Sequence, residues 1–434
     1  MSFILHPATL AHLALTSSVL LLPTSLVAAP AFAFEDSPKV VLDEAWQIVQ
    51  DEYVDGSFNQ VDWEQTRQTL LSRNYTSRES AYEALREALG QLNDPYTRFL
   101  DPREYSELSE QTAGEISGIG LQLRRDTTAN QVIITDVVVD SPADRAGLLP
   151  GDQLLVVDGQ AADRLTVSGI FRRLRGEEGT QVTVTISRAG RRQTLVVARA
   201  LLEIPTVEYS LQNQGDIPIG YIRLIEFNAH AAEQMEAAIQ DLVGQDVKGF
   251  VLDLRGNPGG LLHASIEISR MWLQRGDIVQ TIDRNGNSES ISANRSALTD
   301  LPLTVLVDGR SASSSEILTG ALRDNDRATV VGSITYGKAL VQSLHGLSDG
   351  SGLTVTVAHY YTPNGTDISR KGIVPDIEVD LDQHQRQALF SDPSQLGTAA
   401  DPQYVRAAQE LEQTLANTGE DPSQISRTEN QAEN

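Results

Sequence analysis

From Ile204 onward, short apolar runs alternate with amphipathic stretches, and this alternation limits the possible folds more than any other feature. Ile219–Leu224, Gly249–Leu254, Leu303–Val307, Thr329–Val331 and Leu353–Tyr360 read as strands. Between them, Ala231–Val243, Gly260–Leu273 and Ser313–Arg323 carry apolar residues at helical spacing. Strands that alternate with helices argue for an α/β sheet.

Upstream the texture differs. Glu115–Leu123, with a Gly-Ile-Gly-Leu turn, enters a strand, and Val132–Val138 is a β-branched strand. Ser141–Gly151 is a short helix closed by Gly147, and Leu154–Val157 leads into a tight Asp158-Gly159 turn. A helix at Leu165–Leu174 and strands at Gln181–Ser187 and Thr194–Ala198 complete a compact αβ module. Before it, Val40–Tyr53 and Tyr75–Leu92 have helical periods, the second with a Thr76/Glu79 capping box and an end at Asn93-Asp94-Pro95-Tyr96. On composition alone this helical region is packing material.

The first 33 residues carry an apolar run at Leu13–Val27 and an Ala31-Phe32-Ala33 small-x-small site. They predict a signal peptide cleaved after Ala33, export, and a soluble mature form. No Lys or Arg precedes Lys39, which fits a signal peptide poorly. The rival reading is an uncleaved anchor, but Pro23 and Pro30 interrupt the run.

Net charge decides against two classes of partner. At −25 over 434 residues, the chain lacks the basic surface that nucleic acid requires, and it has no electrostatic hold on anionic membranes. It has no cysteine, which excludes a disulfide scaffold, a thiol nucleophile and cysteine-ligated zinc. Seven scattered histidines and no HExxH give little support to a metal site, so no metal and no cofactor are expected.

Chemistry concentrates between 301 and 342. Ser311, Ser313, Ser314 and Ser315 stand at a predicted helix N-terminus, where a serine serves as a cap or as a nucleophile. Gly332–Lys338 matches most of a phosphate-binding loop, but Ala339 stands where Ser or Thr holds Mg²⁺. A serine nucleophile needs a base. His345 and His359 are near in sequence and leave a Ser-His-Asp triad open, although no GxSxG elbow surrounds the serines. Lys338 is the other candidate, since burial lowers a lysine pKa; its bland reading is a surface charge in a loop. Farther upstream, Asp253-Leu254-Arg255-Gly256-Asn257-Pro258-Gly259-Gly260 joins a strand to a helix. Its N–H groups suit an oxyanion, or its glycines only supply unusual φ angles.

Six segments occur in order: DPYTRFL at Asp94–Leu100, SGIGLQL at Ser117–Leu123, SPADRAGLLPGDQLLVVDG at Ser141–Gly159, DLRGNPGG at Asp253–Gly260, SASSSEI at Ser311–Ile317 and YGKALVQ at Tyr336–Gln342. Together they resemble the carboxyl-terminal processing peptidases, serine proteases with a Ser/Lys dyad. The resemblance implies Ser313 as nucleophile and Lys338, 25 positions on, as general base. It implies Gln342, one helical turn past the lysine, as the residue that orients it. Gly259 and Ser314 N–H groups become the oxyanion donors, and Asp324 a supporting acid. Ala339 departs from the glycine that many members have after the lysine.

The resemblance also makes the αβ module a PDZ domain that binds a free C-terminus, with the carboxylate at Gly118, Ile119, Gly120 and Leu121. The expected fold is thus multidomain α/β: a signal peptide at 1–33, a helical N-terminal region at 36–112, an inserted PDZ domain at 113–200, an α/β protease core at 201–382, and a C-terminal extension at 383–434, partly disordered. Longer stretches such as AHAAEQM and ASIEISRMWL resemble the cyanobacterial and chloroplast members, which mature the photosystem II reaction-centre precursor. The implied partners are proteins with a free C-terminus, and the implied site of action is the thylakoid lumen or periplasm. Two rivals stay open: a general periplasmic tail-recognising protease, and an inactive PDZ-bearing binding protein.

Overall fold

The computed structural model describes residues 37–417, so the expected signal peptide and the polar tail beyond Asn417 lie outside the described residues. Six strands of the C-terminal half form one sheet, in the order Val207–Gln214, Ile217–Leu224, Gly249–Asp253, Leu303–Val307, Thr329–Gly332 and Ile377–Glu378. The first pair is antiparallel and the rest are parallel. Alternate residues of each strand face opposite layers. Ile222, Phe250, Leu252, Val305 and Val330 pack against helices Ala231–Gly244, Leu262–Trp272 and Ser314–Asp324. Ile219, Tyr221, Val251, Leu306 and Val331 face the other way. Burial on both faces is why these strands read as nearly continuous apolar runs.

The second face is covered by the C-terminal extension. Its helix Pro402–Asn417 buries Tyr404, Ala407, Ala408, Leu411 and Leu415 against the sheet. A buried ionic network fastens it. The Arg255 guanidinium donates to both carboxylate oxygens of Asp401, at 3.0 and 2.6 Å, and to Asp253 and Gln403. The Tyr221 hydroxyl donates to Asp253 at 2.7 Å. The extension is therefore a layer of the core rather than an appendage.

The N-terminal region has four helices, Pro38–Glu52, Trp63–Ser72, Arg78–Gly90 and Pro102–Ala113. The second and fourth were not apparent in the sequence periodicity, because each buries little of its own surface. The third is capped by Ser77 with Ser80, one residue beyond the expected Thr76/Glu79 box. Leu42, Trp46, Leu85 and Leu89 pack on Leu353 and Val355 of a second sheet and on Leu347 in the turn that follows its strand Leu340–Gly346. That sheet joins Arg98–Leu100, Leu340–Gly346, Asp277–Asp283 and Ser288–Ser292 around the long strand Gly352–Tyr361.

Between these units, strands Leu121–Asp126, Gln131–Val137, Gln153–Val157, Gln181–Arg188 and Arg191–Ala198 form a sheet in that order. Helix Val167–Leu174 closes its core. A two-stranded ribbon, Glu115–Gly118 with Ala200–Glu203, carries the module away from the rest of the chain. Among the described residues, no helix is long and apolar enough to cross a membrane.

Candidate active site

The serine cluster follows strand Leu303–Val307 and opens helix Ser314–Asp324. Three of its four hydroxyls are engaged on the glycine-rich turn. Ser311 donates to the Leu254 carbonyl at 2.8 Å, Ser314 to Gly260 at 2.9 Å and Ser315 to Asn257 at 3.0 Å. Ser313 makes no such bond to the turn, and its backbone is strained, with φ 53° and ψ −115°. A non-glycine residue in such a region costs about 1–3 kcal/mol and persists only where its surroundings hold it.

Two buried groups hold it. The Glu316 carboxylate accepts from Ser313 N–H at 3.0 Å, Lys338 N–H at 2.9 Å, Gly337 N–H at 2.6 Å and the Thr335 hydroxyl at 2.5 Å. The Tyr360 hydroxyl reaches the carbonyls of both Ser313, at 3.1 Å, and Lys338. The serine and lysine segments are thus cross-braced from either side. Glu316 is legible in the sequence as the fourth position of a Ser-x-x-Glu capping box. Thr335 and Tyr360 carry no local signal at all.

Lys338 is half-buried. Burial first, then the nearby Arg98 charge, hold its amine below the ordinary lysine value, against the pull of Asp94 and Glu316. Its Nζ lies 4.6 Å from the centroid of the Tyr96 ring. Among the described residues, no hydrogen bond joins it to the Ser313 hydroxyl.

The other expected residues fare differently. Gly259 lies against Ser313: a Cβ added there would sit 2.8 Å from Ser313 Cβ and 3.0 Å from Ser314 N. Its N–H, however, already donates to Asn257 Oδ1 at 2.9 Å, which corrects the picture of a free donor. Ser314 N–H and Gly260 N–H have no acceptor among the described residues. Gln342 stands on strand Leu340–Gly346, not a helical turn past the lysine, because that segment pairs with Gly352–Tyr361. Its Nε2 is buried without a partner. Asp324 ends the helix that Ser313 caps, ~16 Å away at 1.5 Å per residue. It accepts from Asn364 N–H at 3.0 Å and does not meet the dyad. His345 bonds Glu52 and Ser343, and His359 is exposed on strand Gly352–Tyr361; among the described residues neither makes a hydrogen bond to Ser313, which leaves the triad reading without a histidine.

In the module, Gly120 takes φ 86° and packs on Ser141 so closely that a Cβ would sit 2.4 Å from Ser141 Cβ. The Ile119 and Gly120 carbonyls accept from Ala143 and Val138, while their N–H groups have no acceptor among the described residues. Leu121 begins the edge strand Leu121–Asp126.

Residues 218–379 match the model of peptidase family S41, and 133–188 match that of the PDZ domain. A carboxyl-terminal-processing protease of Synechocystis is 42% identical over 380 residues, 87% of either chain. This chain belongs to the carboxyl-terminal-processing proteases of family S41. It is a serine peptidase with a PDZ domain. Carboxyl-terminal-processing peptidase 2 of Arabidopsis thaliana, a chloroplast protein, is 38% identical over 77% of this S41 chain and 67% of its own. A solved photosystem II D1 C-terminal processing protease is 35% identical, with a TM-score of 0.54, over 85% of this chain and 99% of its own.

Proposed function

We propose that this peptidase removes C-terminal extensions from exported proteins, the photosystem II reaction-centre precursor among them, in the thylakoid lumen or periplasm. Ser313 attacks the scissile carbonyl, Lys338 takes its proton and returns it to the leaving amine, and water then resolves the acyl-enzyme. Ser314 N–H and the 259–260 turn hold the oxyanion. Gln342, whose buried amide lacks a partner, orients the amine. The observation that carries this reading is the division of labour among the serines: three hydroxyls tie down the glycine turn, and the strained fourth is braced to Lys338. The relatives' names support the substrate class.

The PDZ module selects chain ends by adding them to its edge strand, their carboxylates meeting the Ile119 and Gly120 N–H groups. Two peptides with the same cleavable sequence, one ending in a carboxylate and one in an amide, test both parts. The free acid should be cut about tenfold faster or more, since a charge-assisted hydrogen bond is worth roughly 1.5–3 kcal/mol. Equal rates would remove the end-selecting role, and no cleavage of either would favour a binding protein.

A further inference from the structure

We infer that Tyr96, carried by the N-terminal region, is a positioning residue for Lys338: its ring face seats and covers the lysine head at the edge of the site. The inference rests on the reading of Lys338 as the base.

The ring lies within cation–π distance of Nζ, at 4.6 Å. It is placed by main-chain bonds rather than by apolar packing. Tyr96 N–H donates to Asp94 at 3.0 Å, and its carbonyl accepts from the Thr354 hydroxyl at 2.8 Å. Asp94 also accepts from the Thr97 and Thr356 hydroxyls, each at 2.7 Å, and Thr356 N–H donates to Thr97 Oγ1 at 3.0 Å. Thr354 and Thr356 lie on strand Gly352–Tyr361, the strand whose Tyr360 hydroxyl holds the Lys338 carbonyl. One strand therefore sets the position of both the ring and the lysine backbone. This is what the DPYT segment does in this chain, and it makes the N-terminal region part of the catalytic centre.

The charged and titratable groups around the amine come from several elements. Asp94 and Arg98 flank the ring, Glu316 reaches in from the helix, and Tyr336 lies beside the Tyr96 hydroxyl. The Tyr96 phenol is pushed up to about 12, mainly by burial, so it meets the lysine as a neutral ring. Among the influences on Lys338, burial is the largest and lowers its pKa. The ring face itself attracts the ammonium, but burial is the larger influence, so removing the ring admits water and on balance favours the ammonium.

The test is kcat/KM against pH on an extended peptide, for the full protein, Tyr96→Phe, Tyr96→Leu and Lys338→Ala, with thermal melts to confirm folding. Tyr96→Leu should lose about tenfold or more at neutral pH, with its rising limb moved about half a unit or more to higher pH. Tyr96→Phe should restore the wild-type limb. A rate loss with an unmoved limb, or a downward shift, overturns the inference. So does Tyr96→Phe behaving like Tyr96→Leu, which would put the effect on the hydroxyl. An active Lys338→Ala would instead overturn the underlying assignment of the base.

Discussion

Lys338→Ala should lower kcat by about 10²–10⁴-fold, the usual contribution of a general base, while leaving the melting temperature nearly unchanged. The half-buried amine carries little packing, so activity and stability separate cleanly at this position. Lys338→Arg should be as inactive, because a guanidinium does not deprotonate in proteins and cannot accept the serine proton. The pH dependence has a definite sign. The base works as the neutral amine, and burial and Arg98 favour that form. The rate should therefore rise with pH to a plateau, with an apparent pKa below the ordinary lysine value of about 10.4. A limb at or above that value would mean that the amine is solvated when it acts.

The second large effect lies away from the chemistry. Arg255→Ala should destabilise the protein by about 3–5 kcal/mol, the cost of leaving buried charges without their partner. Asp253 and Asp401 are both fully buried, and each faces this guanidinium. Against a total of ~5–15 kcal/mol, that is a large share of stability. Urea denaturation followed by circular dichroism gives the number. Because Gly256 and Asn257 follow directly, the glycine turn should loosen as well, and activity should fall before the chain unfolds. A loss below about 1 kcal/mol would show that water already reaches the network.

Much of this arrangement is legible in the sequence. The alternating runs after Ile204 read correctly as an α/β sheet because two-sided burial leaves a strong local signature. The resemblance carried by the six segments implied the pairing of Ser313 with Lys338, whose backbone N–H groups share the Glu316 carboxylate. What local pattern could not show was long-range pairing. Leu340–Gly346 has mixed burial and is a strand only because Gly352–Tyr361 accepts it, so Gln342 was given a helical geometry. Tyr96 and Tyr360 reach Lys338 from 242 positions before it and 22 after it, and no periodicity encodes that. The engaged Gly259 N–H depends on a side chain two residues away, a choice between rotamers rather than between residues. The helix Pro402–Asn417 gives a weak local signal because its apolar stripe is narrow and alanine-rich.

The central claim is that one serine does the chemistry and its neighbours hold the turn. It is tested most directly by the cleavage rate of an extended peptide for Ser311→Ala, Ser313→Ala and Ser315→Ala, each with a melt. Ser313→Ala should fall to background with an unchanged melt. Ser311→Ala and Ser315→Ala should each lose about 1–3 kcal/mol of stability, having left a buried carbonyl without its donor, and still cleave. A folded Ser313→Ala that cuts at wild-type rate would contradict the account outright.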